Sequence, residues 1–423
     1  MNSHKRRSFL RKTLLGGVAI TSLPFLSKGE RSFVPPLATG SPPDWKQVRS
    51  QFPLTTVKTY LNTASLGPSP QVVIDTISNT IQDLEEQATT GRKISYATHE
   101  ALGTLLNTAP ENIAVTRNAT EGANIAARSL PLQVGDEVIL TDQEHVGGAS
   151  PWLALQQQLG IKIKLVALDL TGKTNVQRIK SAISTNTKAI AFSHVACTNG
   201  MVIPAREIAK VCQAKGIFCC IDGAQALGMY PIDLEDIQPD FYYGSGHKWL
   251  FGPKGTGVLY INPNTMNRIQ PSYVGAYSDS VFDLENLHQE YRQVAQREEY
   301  GTRNTGITLG LGAAVNFVQT VGMDALVKHQ RELVAQLREG VASLPGVKIF
   351  SPSHPDFSSA IFTFRIEGHE YREVQSRLNG EQRLYVRGIY EANLNALRVS
   401  CALFNSEQEI DLLVNSLNTI VRG

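Results

Sequence analysis

Lys248 lies in the stretch of the chain whose residue types are most suggestive of chemistry. It follows Ser245-Gly246-His247 and precedes the glycine- and proline-rich segment 252–257. The apolar run Phe241-Tyr242-Tyr243 comes just before, and an apolar run that ends at a glycine is typical of a buried strand. Lys248 is therefore predicted where a strand ends and a loop begins. Most lysines at such places are solvated surface groups, so this residue alone does not identify a reactive amine.

Other polar residues follow other apolar runs at equivalent points of the chain. Each has a common structural role as a helix cap, a turn or a hydrogen-bonded loop histidine. In a parallel sheet, however, the carboxyl ends of the strands meet at one edge, where ligands bind. These residues are Asn118-Ala119-Thr120, Glu144-His145, His194 with Cys197-Thr198-Asn199, and Asp222-Gly223-Ala224-Gln225.

Together these residues predict a pyridoxal 5′-phosphate site. A lysine that reacts with an aldehyde cofactor must be partly desolvated, which lowers its pKa. An aspartate beside a pyridine nitrogen keeps that nitrogen protonated and makes the ring an electron sink. A helix N-terminus that presents a threonine and free backbone amides binds phosphate, and an imidazole can stack on the ring.

The elements that must position these residues alternate between strand and helix. Alternation of this kind predicts an α/β fold with a mostly parallel sheet covered on both faces. Ser69-Pro70 is predicted to open an earlier helix, with Ser69 as its cap. Apolar runs lie at 113–116, 138–140, 161–166, 188–193, 217–221 and 241–243, and helices are predicted to begin near Thr120, Pro151 and Pro204.

The pattern changes after about residue 305. Two long helical stretches, 306–321 and 323–343, precede strand-like runs at 360–364 and 397–401. A last helix follows, with Ser406 and Glu409 as its capping box. We expect a smaller α+β domain formed by 41–59 and 306–423, a large cofactor-binding domain over 60–305, and a signal and linker over 1–40.

The N-terminus resembles a twin-arginine export signal. Residues 5–12 read Lys-Arg-Arg-Ser-Phe-Leu-Arg-Lys, and the apolar run 13–26 follows. That run is too short and too weakly apolar for a membrane span. The sequence therefore predicts a protein that the twin-arginine machinery carries into the periplasm or beyond. The first 31 residues hold seven of the 40 basic residues, which leaves a mildly acidic body and no reason to expect nucleic acid as a partner.

The five cysteines, at 197, 212, 219, 220 and 401, show neither a C-x-x-C motif nor the spacing of metal ligands. Cys219 and Cys220 lie in an apolar run and are predicted to pack as small hydrophobic residues. We expect neither a disulfide framework nor a metal site.

The motifs resemble class V aminotransferases, a family with the type-I pyridoxal-phosphate fold that includes cysteine desulfurases and isopenicillin N epimerase. The resemblance spans roughly residues 58–420. It implies a mostly parallel, seven-stranded type of sheet flanked by helices. The matching pieces are 118–121, Glu144-His145, 222–225, 245–248 with 252–255, Gly301-Thr302, and Arg398-Val399-Ser400.

The resemblance also implies a role for each residue of the site. Lys248 would bond to the cofactor and carry the proton of the substrate Cα, with His145 stacked on the ring. His145 and Lys248 are the candidates for moving protons in the reaction. Asp222 would hold the pyridinium nitrogen and Gln225 the phenolic oxygen. Arg398 would take the substrate α-carboxylate, with Asn62 beside it. The phosphate would be bound by Ala119, Thr120, Ser245 and His247, and by Thr302 from the second subunit of a homodimer.

Two departures from the family pattern bear on function. Cysteine desulfurases need a nucleophilic cysteine on a loop before the carboxylate-binding arginine, and 387–395 contains none. Many relatives have an asparagine near Cys197 that touches the phenolic oxygen. The sequence leaves open whether Cys197 or Thr198 replaces it.

The preferred interpretation is a pyridoxal-phosphate enzyme that acts at Cα of an amino acid and is nearest to isopenicillin N epimerase. Transamination and C–S or β-lyase chemistry remain open. A non-catalytic exported binding protein with the same fold is an alternative of a different class. A nucleotide enzyme that uses 252–257 as its phosphate loop is disfavoured, because the spacing is not that of a P-loop.

Overall fold

The structure is a computed structural model and describes residues 43–54 and 57–422. The predicted export signal lies outside these residues. Element names below follow chain order.

A seven-stranded sheet carries the predicted site at one edge. Its order is β2-β8-β7-β6-β5-β3-β4, in which only β8 runs antiparallel to its neighbours. This confirms the predicted mostly parallel sheet. Its strands are β2 (Ile113–Thr116), β3 (Glu137–Thr141), β4 (Lys162–Val166), β5 (Thr187–Ser193), β6 (Phe218–Asp222), β7 (Phe241–Ser245) and β8 (Gly257–Ile261).

Both faces of this sheet are covered, because the side chains of its strands alternate between two apolar clusters. Along β5, Ile190 and Phe192 pack in one cluster, whereas Ala189 and Ala191 pack in the other. The covering helices include α2 (Gln71–Gln87), α3 (Tyr96–Leu106), α4 (Ala119–Ser129), α5 (Val146–Leu159), α6 (Asn175–Ala182), α7 (Ala205–Lys215), α8 (Leu234–Ile237) and α9 (Thr305–Val321).

A second, four-stranded sheet is antiparallel and has the order β11-β12-β15-β14. Leu337, Leu378 and Leu417 of three helices pack with Phe362 and Val399 of this sheet in one apolar cluster. The strands are β11 (Val347–Ile349), β12 (Ile361–Ile366), β14 (Arg387–Ile389) and β15 (Ala396–Ser400), and the helices are α10 (Met323–Ala342), α11 (Tyr371–Gly380) and α12 (Glu407–Arg422).

The segment before residue 60 packs on the C-terminal part of the chain. Helix α1 (Trp45–Ser50) stacks Trp45 on His329 at a centroid distance of 4.0 Å, and Arg49 pairs with Glu409 at 2.9 Å. Strand β1 (Thr59–Tyr60) pairs in parallel with β13 (Leu384–Tyr385). These contacts agree with the grouping of 41–59 with the C-terminal residues, but the domain boundaries stay a prediction.

A hairpin of β9 (Asp279–Asp283) and β10 (His288–Tyr291) completes the fold, and its apolar residues are exposed. In the described part of the chain, no single helix is long and apolar enough to cross a membrane. Helices α9 and α10 have the length and apolar composition of a membrane span only when taken together, as a pair bent by 76°.

Two details of the predicted helices were wrong. Ser69 does not cap α2, because its hydroxyl donates to the Gly252 carbonyl at 3.1 Å and the N-cap residue is Pro70. The helix expected from Pro151 begins at Val146, so that Pro151 lies inside it. The capping box at Ser406 and Glu409 is confirmed, since each backbone amide donates to the other side chain.

Candidate active site

Lys248 lies three residues beyond the end of β7, at the carboxyl edge of the large sheet. Lys248 is half-buried, and desolvation lowers the pKa of its ammonium group while the nearby charge of Asp222 acts in the opposite direction. The adjoining loop is fixed by a hydrogen bond of 2.8 Å from the Gly67 amide to the His247 carbonyl. Desolvation increases the neutral fraction of such an amine, which is the form that acts as a nucleophile and accepts protons.

Asp222 is the last residue of β6 and is 6% exposed. One carboxylate oxygen accepts the Ala224 amide at 2.8 Å. Burial raises the pKa of this carboxyl, while the Ala224 amide and the charge of Lys248 oppose the rise. A buried carboxylate with one free oxygen can hold a cationic ring nitrogen.

Two helix N-termini converge beside Asp222. Asn118 caps α4 through the Glu121 amide at 2.9 Å, and His145 caps α5 through the Gly147 amide at 3.0 Å. A Cβ at Gly147 would lie 2.5 Å from the Thr120 hydroxyl, and one at Gly148 would lie 2.9 Å from Asp222 Oδ2. A side chain at either position would require these groups or the start of α5 to move, because the helix approaches them so closely.

The imidazole of His145 is neutral in this arrangement. Its Nδ1 accepts a backbone amide, so Nε2 carries the proton of the neutral ring. Burial and then the charge of Lys248 lower its pKa. The structure therefore presents a neutral aromatic ring near the lysine, as stacking on a cofactor requires.

The predicted phosphate ligands on the large sheet lie at the same edge. Ala119 and Thr120 begin α4, where backbone amides are free to bind an anion. Ser245 is buried at the end of β7, and the buried Nδ1 of His247 has no hydrogen-bond partner. An unpaired buried nitrogen is costly, and a bound phosphate oxygen would satisfy it.

Gln225 is fixed between two other segments. Its Oε1 accepts the indole N–H of Trp249 at 2.8 Å, and its Nε2 donates to the Ala64 carbonyl at 2.9 Å. The second amide hydrogen stays available for the predicted contact with a phenolic oxygen. Neither contact could be predicted from the sequence, because neither partner is near Gln225 in the chain.

Arg398 lies on β15 and is 1% exposed. Its Nη1 donates to the Cys197 carbonyl at 2.8 Å, and its Nη2 donates to Ser65 Oγ at 2.7 Å and to Asn62 Oδ1 at 3.3 Å. The Nε atom is buried without a partner. A substrate carboxylate would supply the missing acceptor, and Asn62 holds the guanidinium in place.

The structure distinguishes the two residues that could replace the family asparagine. The Thr198 hydroxyl donates to Gln143 at 2.7 Å and is thereby committed to another element. Burial raises the pKa of the Cys197 thiol, and the charges of Arg398 and Lys248 partly oppose that rise. We therefore expect Cys197, whose carbonyl accepts from Arg398 Nη1 at 2.8 Å, to be the residue of this loop that contacts the cofactor.

Thr302 is not brought together with these residues within one chain. It is exposed and lines a separate small pocket with Thr90, Arg92, Ser95 and Tyr277.

Two further charged residues belong to the site and were not predicted. Arg387 on β14 pairs with Glu391 at 2.5 Å. Both charges act on the pKa of His145, which Arg387 lowers and Glu391 raises. Their i,i+4 spacing is the one local signal for this pair, whereas their place beside the site depends on strand pairing.

The residues at this edge fit pyridoxal phosphate. The amine, the buried acid and the neutral imidazole are the groups that the ring requires, and two helix N-termini with the unpaired His247 nitrogen suit the phosphate. Among the described residues, by contrast, no group of three or more His, Cys, Asp or Glu side chains could hold a metal ion.

Comparison with known proteins gives the same family. The family profile described as "Aminotransferase class-V" matches residues 59–413. The chain belongs to the class-V aminotransferase family. It is accordingly a pyridoxal-phosphate-dependent enzyme that acts at Cα of an amino acid.

Relatives within the family differ in the reaction they catalyse. A cysteine desulfurase from Serratia proteamaculans (strain 568) is 29% identical over 89% of this chain and 98% of its own. An isopenicillin N epimerase from Streptomyces clavuligerus is 26% identical with the same coverage. A solved structure of the cystine C–S lyase C-DES with its product cysteine persulfide has a TM-score of 0.80 and 28% identity, and the match covers 87% of this chain and 99% of that one.

Proposed function

We propose that this class-V enzyme removes and returns the Cα proton of an amino acid, as an isopenicillin N epimerase-like isomerase. One observation carries the proposal: the desolvated amine of Lys248 lies in a site whose carboxylate-binding arginine, Arg398, keeps an unpaired buried Nε. These two groups suffice to orient an amino acid and to move its Cα proton.

The residues divide this work among them. Arg398 binds the α-carboxylate and orients Cα, while Asn62 and Ser65 hold the guanidinium. Lys248 accepts the proton at Nζ on one face of Cα. Inversion requires protonation from the opposite face, and His145, whose Nε2 carries a proton, is the candidate donor there. When bound, pyridoxal phosphate withdraws electrons from Cα, and Asp222 maintains the ring charge that this requires.

C–S lyase chemistry is the second candidate, favoured by the likeness to the C–S lyase C-DES. Desulfurase chemistry has less support, because 387–395 contains no cysteine and all five thiols of the chain are buried.

The test is Cα proton exchange by the holoenzyme in deuterated water with a panel of amino acids. We expect deuterium at Cα of at least one amino acid, with a mixture of configurations. Lys248→Ala should lose exchange by about 10²–10⁴-fold, the usual contribution of a general acid–base group. The exposed Lys254, in the same loop, supplies the matched control Lys254→Ala.

Other products would contradict the proposal. Keto acid formation would assign a transaminase, and sulfide or persulfide release from cystine would assign a lyase. A Lys248→Ala variant that exchanges at the wild-type rate would remove the lysine from the reaction.

We further propose a homodimer in which Thr302 contacts the phosphate bound by the partner chain. The exposed position of Thr302 away from its own Lys248 supports this arrangement.

We also propose export through the twin-arginine machinery, supported by the pattern in residues 5–26. A reporter fused to residues 1–35 should reach the periplasm, and Arg6→Lys with Arg7→Lys should retain it in the cytoplasm.

A further inference from the structure

Two arginines face each other across the strand pair that borders the site. Arg387 of β14 and Arg398 of β15 are directly opposite in the antiparallel register. Side chains at such positions share a face, with Cβ atoms about 5 Å apart, and like charges there are destabilising. After burial, the charge of Arg387 is the largest influence that lowers the pKa of Arg398, to about 10. The pair therefore requires negative charge.

The protein supplies a carboxylate to only one of these arginines in the described structure. Arg387 Nη2 lies 2.5 Å from Glu391 Oε1, and Glu391 Oε2 accepts the Tyr390 amide at 3.2 Å. The hydrogen-bond partners of Arg398 are the neutral groups of Cys197, Asn62 and Ser65. Arg398 is thus left for a substrate anion, whereas Arg387 is occupied.

The ion pair lies at the solvent side of the site. The Arg387 and Glu391 side chains are 25% and 28% exposed, whereas Arg398 is 1% exposed. The charges of Arg387 and Glu391 nevertheless affect the pKa values of Cys197 and His145, as the charge of Lys248 does. A group that extends outward from a substrate held at Arg398 would pass this pair.

We propose that Glu391 is a specificity-determining residue that occupies Arg387 and so excludes substrates with a second, distal carboxylate. The inference rests on the proposed function, in which Arg398 holds the α-carboxylate. The substrate class that fits is an amino acid whose side chain ends in an uncharged group or an ammonium group.

The physical reason is competition for Arg387. A distal carboxylate would approach Glu391 with like charge and would have to displace it from the guanidinium. Without Glu391, Arg387 and Arg398 would form a two-cation pocket in which a dicarboxylate satisfies both side chains. The negative charge of Glu391 therefore makes the site select amino acids without a distal carboxylate over dicarboxylates.

The test uses the holoenzyme and glutarate, a dicarboxylate that lacks the amino group and cannot react. Calorimetric titration of the wild type should show weak binding or none. Glu391→Gln should bind glutarate at least about tenfold more tightly, which corresponds to about 1.4 kcal/mol. The affinity for L-alanine should rise by much less than that for glutarate, because alanine has no second carboxylate for Arg387 to bind.

Three further variants serve as controls. Glu391→Ala removes the same charge with a different side chain and should give the same gain, so a folding defect of one variant does not decide the outcome. Arg387→Gln combined with Glu391→Gln should abolish the gain. Glu381→Gln breaks an i,i+4 pair with Arg377 on the surface of α11 and should leave glutarate binding unchanged.

The proposal would be overturned by unchanged glutarate affinity in both Glu391 variants, or by a gain that persists in the double variant. An equal loss for glutarate and alanine would assign Glu391 a purely structural role and would also overturn it. Because glutarate binding requires no turnover, these results stay separate from Cα exchange, on which the proposed function depends.

Discussion

Glu144 precedes His145 and is half-buried, and its carboxyl group accepts hydrogen bonds from hydroxyl and amide groups. Thr141 donates to its Oε1 at 2.5 Å, and Ser193 donates through its hydroxyl at 2.8 Å and its amide at 3.2 Å. Burial raises the pKa of Glu144 from 4.5 to about 7, more than these hydrogen bonds lower it. The folded protein therefore binds a proton here that the unfolded chain has already released.

This proton makes stability depend on pH. Since the folded state holds the proton between pH 4.5 and about 7, the contribution of Glu144 is fully present below pH 4.5 and is lost as pH rises through 7. Glu144→Gln should remove a pH-dependent loss on the order of 2–3 kcal/mol in the free energy of unfolding. Denaturant unfolding of both proteins at about pH 4.5 and about pH 8 measures the difference. An equal change in unfolding free energy between these two pH values in variant and wild type would contradict the prediction. Glu207→Gln, at an exposed residue, is the control.

Residues that follow a strand could be predicted from the sequence, because their place at the sheet edge depends on local patterns alone. Lys248 and Asp222 are of this kind. The surroundings of Gln225 were not predictable, since Trp249 and Ala64 approach it from other segments. The choice between Cys197 and Thr198 likewise depends on where Gln143 lies in space.

At the scale of elements, the start of α5 brings the cofactor-binding groups together. Gly148 lies in its first turn, where a Cβ would be 2.9 Å from Asp222 Oδ2. Helix propensity favours alanine over glycine by about 1 kcal/mol, but here the added methyl group must displace the buried carboxylate. Propensity and close packing therefore oppose each other at this residue.

We expect Gly148→Ala to lower both stability and cofactor affinity. Overpacking costs about 1–3 kcal/mol, and a displaced Asp222 holds the ring less well. Denaturant unfolding and spectrophotometric titration with pyridoxal phosphate measure the two effects. Gly380→Ala is the matched control, because nothing lies within 4 Å of a Cβ at that helical glycine. A Gly148→Ala variant as stable as wild type would show that α5 can move away from Asp222.

The order of the elements could be predicted, but their pairing could not. Alternating apolar runs and helical stretches predicted the parallel sheet, because the residue patterns of strands and of helices both depend on near neighbours in the chain. The antiparallel direction of β8 and the register of β14 with β15 depend on tertiary packing. For the same reason, the predicted cap at Ser69 was wrong: Gly252, its actual partner, lies 183 residues further along the chain.

At the scale of the whole molecule, the β9–β10 hairpin is the surface that we propose for contact with a second copy of the chain. The β9–β10 hairpin exposes Phe282 at 63%, Leu284 at 69% and Leu287 at 89%. The Gly301 amide donates to the Ala276 carbonyl at 2.9 Å, which joins the neighbourhood of Thr302 to the base of this hairpin. Exposed apolar patches of this kind mark interaction surfaces.

Mixed dimers test whether Thr302 acts across that surface. Lys248→Ala lacks the amine and Thr302→Ala lacks one phosphate contact, so each homodimer should have impaired sites. If Thr302 acts in the partner's site, a heterodimer combines one doubly altered site with one intact site, and exchange activity should return on mixing. No recovery, with heterodimers demonstrated by mass spectrometry, would place Thr302 in its own subunit's site or outside both.

The burial of the five cysteines matters for whether the protein folds before or after it meets an oxidising compartment. None is more than 5% exposed, and all are free thiols. If the chain is exported already folded, as we propose, its five thiols are shielded before they reach an oxidising compartment. Unfolding outside would expose five thiols, whose oxidation would trap wrong pairings. The folded state thus protects the thiols from oxidation only as long as it persists. Refolding outside the cell should therefore need a reductant that first folding did not need.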